Sequence, residues 1–199
     1  MLKRLIFAAV VLYGAYMSYT ARSIDHDPGV LVDTIPSQKA IGKAIPFAHK
    51  GFRVTPLAEF NLVARVLGTE HYRLDRGAEL SPVDLALGWG PMSDSAVLEK
   101  LSISQSGRFY HWSATTLPIP IQAISSHSAN MHMVPADSRI EKKLNSLREG
   151  DIVSLDGFLI RADAEGGWHW VSSLTREDSG NGACELVWVK EINVRTSTL

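Results

Sequence analysis

The chain has 199 residues, with 20 basic and 21 acidic side chains, a formal net charge of −1 and one cysteine. This balance gives no sign of the clustered basic surface that nucleic-acid-binding proteins need. A single cysteine excludes an internal disulfide framework, so stability must come from burying apolar side chains, among them five Trp, six Phe and five Tyr.

Residues 5–21 form an uncharged, strongly apolar run directly after Lys3 and Arg4. Basic residues stay on the cytoplasmic side of a membrane, so the run predicts a transmembrane signal-anchor helix over residues 1–22 that exports the rest of the chain. The alternative is a cleaved signal peptide with a processing site at residues 21–23. In both cases we expect the body of the chain to lie outside the cytoplasm, in the periplasm. The anchored form is a single-pass protein of the cell membrane.

Residues 23–51 are predicted to be a stalk. The segment is interrupted by prolines and glycines, and its apolar residues keep no sustained period. An extended spacer of this kind would lift the folded domain off the membrane. A short helix over residues 38–44 is the alternative.

The exported domain spans residues 52–199, and its first block covers residues 52–137. Apolar and polar residues alternate over residues 60–67, which predicts a strand, although Thr55-Pro56 is also a helix-start signal. Ser81-Pro82 predicts a helix that runs to about Gly88. The remaining predictions for this block are a short helix ending at residue 101 and strands at residues 108–112 and 119–124.

The second block covers residues 138–199. A helix is predicted from residue 138 to Gly150, because its apolar residues share one face. Strands are predicted at residues 151–162, with a bend at Gly157, and at residues 168–174 and 184–194. The fold class is therefore predicted to be α+β, with the transmembrane helix followed by short helices and a small antiparallel, partly barrel-like sheet.

The most polar stretch of the chain, residues 125–132, contains two histidines. His127 and His132 could ligate a metal together with Asp94 or Asp137. The recognised two-histidine motif, however, places its histidines four residues apart on a helix with a glutamate between them, and this stretch has neither feature. We therefore predict no metal and no cofactor. The alternative role of these side chains is to bond local backbone groups in a tight loop.

The only cysteine suggests a nucleophile. Cys184 would need His127 or His132 as its base and Asn130 or Asp178 to orient that base. Such chemistry requires a thiolate, but Cys184 lies in phase with two apolar residues at the start of a predicted strand. A buried, unreactive side chain is the alternative.

Trp89 stands between two glycines, which would let the backbone turn sharply and present the indole to a ligand. We group Trp89 with Ser126, His127, Asn130 and His132 as predicted ligand-binding residues. The alternative for Trp89 is that its ring fills the junction between the two blocks.

Standard catalytic and cofactor motifs are not found in this sequence. We therefore predict a membrane-anchored extracytoplasmic binding or docking module, an accessory envelope protein whose ligand the sequence does not identify. Its expected partners are the membrane, through the N-terminal helix, and either another envelope protein or a small ligand, but no nucleic acid. The alternative is a small periplasmic hydrolase, metal- or cysteine-dependent, built on His127, His132 and Cys184.

Overall fold

The computed structural model describes Phe7 and residues 22–175 and 184–195. The strands in this part of the chain are β1 (Ser37–Ala40), β2 (Phe47–His49), β3 (Phe52–His71), β4 (Val83–Gly88), β5 (Ser102–Ser106), β6 (Phe109–Ser113), β7 (Ser128–Pro135), β8 (Ile152–Asp163), β9 (His169–Val171) and β10 (Glu185–Val194). The α-helices are short: α1 (Arg76–Leu80), α2 (Ser95–Leu98), α3 (Ile121–Ser126) and α4 (Ser138–Asn145). Two 3₁₀ turns are also present, at Gly90–Ser93 and Glu165–Gly167.

The main sheet has eight strands in the order β1-β3-β4-β7-β10-β8-β9, with β2 paired to β3. Strand β3 is 20 residues long and pairs with β8 along Arg53–Arg65 and with β4 along Arg65–His71. Strands β7 and β10 are parallel, whereas the other pairs are antiparallel. Strands β5 and β6 form a separate hairpin.

Side chains on both faces of the main sheet are buried. On β7, Ala129, Met131 and Met133 point into the largest core cluster, which also takes the apolar face of α4. A second, aromatic-rich cluster contains Val134 and the indole of Trp188. A third cluster lies beneath the β5–β6 hairpin. The outward polar side chains of β7 therefore lie between apolar regions and not in open solvent.

The α+β assignment and the short helices are confirmed, but the predicted sheet is wrong, and no transmembrane helix is found among the described residues. The sheet is large and mixed, not small, antiparallel and partly barrel-like. The three strands of the second block were predicted. Their place in one sheet with the long strand β3 and its partners was not predicted. Pairing between distant segments leaves no local pattern in a sequence, so sheet size was underestimated.

The described residues do not contain the predicted transmembrane helix. Among residues 22–175 and 184–195, no helix is long and apolar enough to cross a membrane. The prediction was made for residues 1–22, nearly all of which lie outside the described residues.

Residues 24–49 lie against the domain, which differs from the predicted stalk. The backbone N–H of Ile24 donates to the carbonyl of Glu149 at 2.8 Å, and Val32 is only 4% exposed within the main core. Strand β1 occupies residues 37–40, where a short helix was the alternative. Backbone hydrogen bonds and one buried valine hold this segment, and neither produces a sequence period.

Three local predictions failed in the first block. Residues 83–88 form a strand instead of a helix, residues 121–126 form a helix instead of a strand, and residues 128–135 form a strand instead of a loop. Strand β4 is buried along its whole length, so tertiary pairing outweighs the Ser81-Pro82 start signal. The helical residues 121–126 follow Pro120, which supplies a helix start.

Candidate functional site

The outward face of β7 presents three polar side chains in a row: Ser128, Asn130 and His132. All three are buried, at 8%, 6% and 3% exposure. They share a face because side chains alternate along a strand. Asp84 on β4 is the direct partner of His132, so the pairing of β4 with β7 places a carboxylate beside the imidazole. Two of the predicted site residues, Asn130 and His132, are therefore brought together.

Asp84 is the centre of this polar cluster and is completely buried. Its Oδ1 accepts a hydrogen bond from Arg108 Nη1 at 3.1 Å and lies 2.9 Å from His132 Nδ1. The second contact has the distance of an ion pair but not the alignment of a hydrogen bond. Asn130 Nδ2 donates to Asp84 Oδ2 at 3.4 Å. The carboxylate therefore meets one permanent cation, one amide donor and one imidazole.

Arg108 enters the cluster from the tip of the β5–β6 hairpin. It has a positive φ of 72° and follows Gly107, so a tight turn aims its side chain at the sheet. The guanidinium carbon lies 3.8 Å from the ring centroid of Tyr72 and 5.2 Å from that of Trp170. Burial raises the pKa of Tyr72 to about 12, and the charge of Asp84 acts in the same direction. The rings of Tyr72 and Trp170 thus shield the Arg108–Asp84 ion pair from water.

Gln105 and Trp170 close the remaining sides. Gln105 Nε2 donates to Asn130 Oδ1 at 2.7 Å, which fixes the amide so that its nitrogen faces Asp84. The ring of His132 lies 4.6 Å from that of Trp170, centroid to centroid. The cluster is therefore enclosed by protein and carries one negative and one permanent positive charge.

Cys184 borders this cluster. It immediately precedes β10, whose Glu185 pairs with Met131, so Cys184 lies beside Asn130 at the end of the parallel ladder. Burial, together with the charges of Glu185 and Asp84, raises the pKa of the Cys184 thiol to about 11, although a hydrogen bond with Asn130 acts in the opposite direction. A protonated thiol is a poor nucleophile and a poor metal ligand.

The remaining predicted ligand-binding residues, Trp89, Ser126 and His127, lie outside this polar cluster. Trp89 is 2% exposed within the main core, so its indole is not available to stack on a ligand at the surface. His127 ends α3, and its Nδ1 lies 2.9 Å from both Ser126 Oγ and the carbonyl oxygen of Ala123. These contacts are the local bonding that was the alternative role for Ser126 and His127.

The two histidines do not share a metal or a nucleophile. His127 bonds to its own helix, whereas His132 faces Asp84. Within the described ranges, no group of three or more His, Cys, Asp or Glu side chains is arranged to hold a metal ion. A metal centre with two histidine ligands would need both rings to coordinate one ion. Here each ring already has a different partner, the carbonyl oxygen of Ala123 for His127 and the carboxylate of Asp84 for His132.

Four residues that complete the cluster were not predicted from the sequence: Asp84, Gln105, Arg108 and Trp170. Asp84 is a carboxylate within the apolar run Val83–Leu87, and this was the one signal available, because a charge in a buried strand demands a partner. Nothing in the sequence indicates that Arg108 is that partner, since the two residues meet only through the hairpin. No protein-family model, curated protein or solved structure matches this chain.

Proposed function

We propose that the protein is a membrane-anchored binding module that works outside the cytoplasm. In this role it is an accessory envelope protein that holds a small ligand or docks a partner without changing it chemically. The location is supported by the uncharged run of residues 5–21 after Lys3 and Arg4.

The observation that carries the binding role is that the buried charge of the polar cluster is already compensated within the protein. Asp84 is compensated by Arg108, and the neighbouring Cys184 has a pKa of about 11. At neutral pH only about one thiol in ten thousand is then ionised, too few for an efficient nucleophile. The cluster is suited to holding the hairpin, β4 and β7 in one arrangement, and it leaves no reactive group exposed.

The described surface offers space for ligands elsewhere. Several clefts of about 300 to 670 Å³ open on it, the sizes at which proteins bind small molecules. Preformed clefts of this size, in a chain whose described cysteine has a raised pKa, are typical of a binding protein.

A reporter fusion tests the location. An enzyme that is active only outside the cytoplasm is fused after Leu199 and expressed with the full chain, and the matched control lacks residues 5–21. The proposal expects reporter activity, recovered with the membrane fraction, for the full chain alone. Equal activity without residues 5–21, or none in either form, would overturn the extracytoplasmic assignment.

A cysteine-dependent hydrolase is a second candidate, favoured by one specific observation. Asn130 and His132 lie on β7, Cys184 lies beside Asn130 just before β10, and Asp84 could orient the imidazole as in catalytic triads. Hydrolysis of a simple activated ester by the wild type and by Cys184→Ala separates the two roles. Hydrolysis that disappears in Cys184→Ala would favour the enzyme, whereas equal background rates favour the binding module.

A further inference from the structure

Arg65 is a buried arginine without a carboxylate partner. It is 8% exposed and lies on β3 where the pairing of that strand passes from β8 to β4. Its Nη1 donates to the carbonyl oxygen of Ser93 at 3.1 Å and to Ser95 Oγ at 2.8 Å. Among the described residues, no carboxylate oxygen lies within 4.0 Å of the guanidinium. Buried charges are normally paired, so this one is an exception that needs a reason.

The guanidinium opens onto a cleft of about 300 Å³. One wall of this cleft is apolar and comes from α2 and the strand after it, with Leu98, Leu101 and Ile103. Three acidic residues, Asp25, Glu99 and Glu149, also line the cleft. Burial lowers the pKa of Arg65, while the charges of Glu149, Asp25 and Asp94 oppose that shift. The acidic residues are therefore close enough to influence the pKa of Arg65 but too far away to form an ion pair with it.

This arrangement separates the two signs of charge within one small cleft. A ligand carboxylate would give the buried guanidinium the partner it lacks, in the planar geometry that arginine favours. A ligand with negative charge alone would also meet Asp25, Glu99 and Glu149, which repel it. A ligand that also carries an ammonium group would pair its carboxylate with Arg65 and its ammonium group with the acidic residues. The apolar wall then suits an aliphatic side chain.

We propose that this cleft, the Arg65 cleft, binds a small zwitterion, either a free α-amino acid or a dipeptide with an aliphatic side chain. The inference rests on the proposed binding function and adds its site and its ligand class. The size agrees, because about 300 Å³ is the lower end of the range for ligand pockets and excludes large ligands.

Isothermal titration calorimetry on the purified full-length protein in detergent tests this assignment with three probes. L-leucine carries both charges, N-acetyl-L-leucine lacks the ammonium group, and L-leucinamide lacks the carboxylate. We expect L-leucine to bind and each of the other two to bind at least tenfold more weakly. If N-acetyl-L-leucine binds as tightly as L-leucine, or if neither L-leucine nor the dipeptide L-leucyl-glycine binds at millimolar concentration, the inference is wrong.

Variants tie the binding to the cleft. Arg65→Lys keeps the charge but loses the planar fork, and we expect L-leucine affinity to fall at least tenfold. Since Arg65 also bonds to Ser93 and Ser95, this variant could be destabilised, so Glu99→Lys at an exposed position is the second one. It places a cation where the ammonium group should bind, and we again expect at least a tenfold loss. Arg53→Lys, an exposed arginine on the same strand, is the control and should bind like the wild type. Unchanged affinity in Glu99→Lys would overturn the assignment.

The failure of this inference can be told apart from failure of the proposed function. A protein whose reporter is exported but which binds neither L-leucine nor L-leucyl-glycine loses the ligand assignment and keeps its location and binding role. A reporter that stays inside the cytoplasm removes the extracytoplasmic role, whatever the calorimetry shows.

Discussion

Replacing Asp84 by asparagine should cost about 3 kcal/mol of folding free energy, because it leaves the partly buried guanidinium of Arg108 with only the exposed Asp75 as a charge partner. Breaking a buried ion pair from one side typically costs about 3 to 5 kcal/mol. The lower end applies here, since the Arg108 side chain is 17% exposed and Asp75 Oδ1 lies 3.5 Å from its Nη2. The substitution also keeps the size of the side chain, so little of the loss comes from packing.

Urea denaturation of the full-length protein in mild detergent, followed by tryptophan fluorescence, measures this loss. Glu141→Gln is the matched control, because it removes a carboxylate from the exposed Lys50–Glu141 pair, whose length of 3.0 Å is close to the 3.1 Å of the Arg108–Asp84 pair. Exposed pairs contribute at most about 1 kcal/mol. Arg108→Met and the double variant complete a cycle in which the double loss should be smaller than the sum. If Asp84→Asn costs no more than Glu141→Gln, the cluster does not hold the fold together.

Three individual contacts can be tested in the same protein. The rate at which iodoacetamide alkylates Cys184 should rise about tenfold per pH unit up to pH 10, since its pKa is about 11, and a plateau below pH 8 would contradict the burial of the thiol. Gly150→Ala should destabilise the protein more than Gly107→Ala: both glycines have positive φ, but only at Gly150 would a Cβ collide with the carbonyl of Ile24. Equal unfolding free energies would show that residue 24 is not held there. Interaction with two basic side chains lowers the pKa of Glu191 to about 2, so its stabilising effect is present above the ordinary glutamate pKa and is lost as the pH falls toward 2. The melting temperatures of the wild type and Glu191→Gln should therefore converge on acidification, and a constant gap would contradict the shift.

Patterns with a local cause were predictable from the sequence. The strand around residues 60–67 and the helix beginning at Ser138 were found, because alternation and a helical apolar face are visible within a few residues. Strand β7 could also have been found, since Ser128 to Met133 alternates polar and apolar residues with period two. The histidines and serines of this stretch suggested a loop, because the polar composition was given more weight than the alternation of polar and apolar residues.

The polar cluster and the Arg65 cleft could not be predicted in the same way. Asp84, Arg108 and His132 come from three separate segments, and only the sheet pairing and the hairpin bring them together. Arg65 was indistinguishable from any polar residue of an alternating strand. The segment around Asp25, which the sequence indicated to be a stalk, lines the same cleft. Sites assembled from distant segments require the tertiary structure.

Incubation of the full-length protein with the dipeptide L-leucyl-glycine tests most directly whether the protein binds without doing chemistry. Ultrafiltration separates bound from free dipeptide, and mass spectrometry then counts intact dipeptide and released leucine. We predict that bound dipeptide is recovered intact and that Cys184→Ala retains as much of it as the wild type. Release of leucine by the wild type, but not by Cys184→Ala, would contradict the binding role.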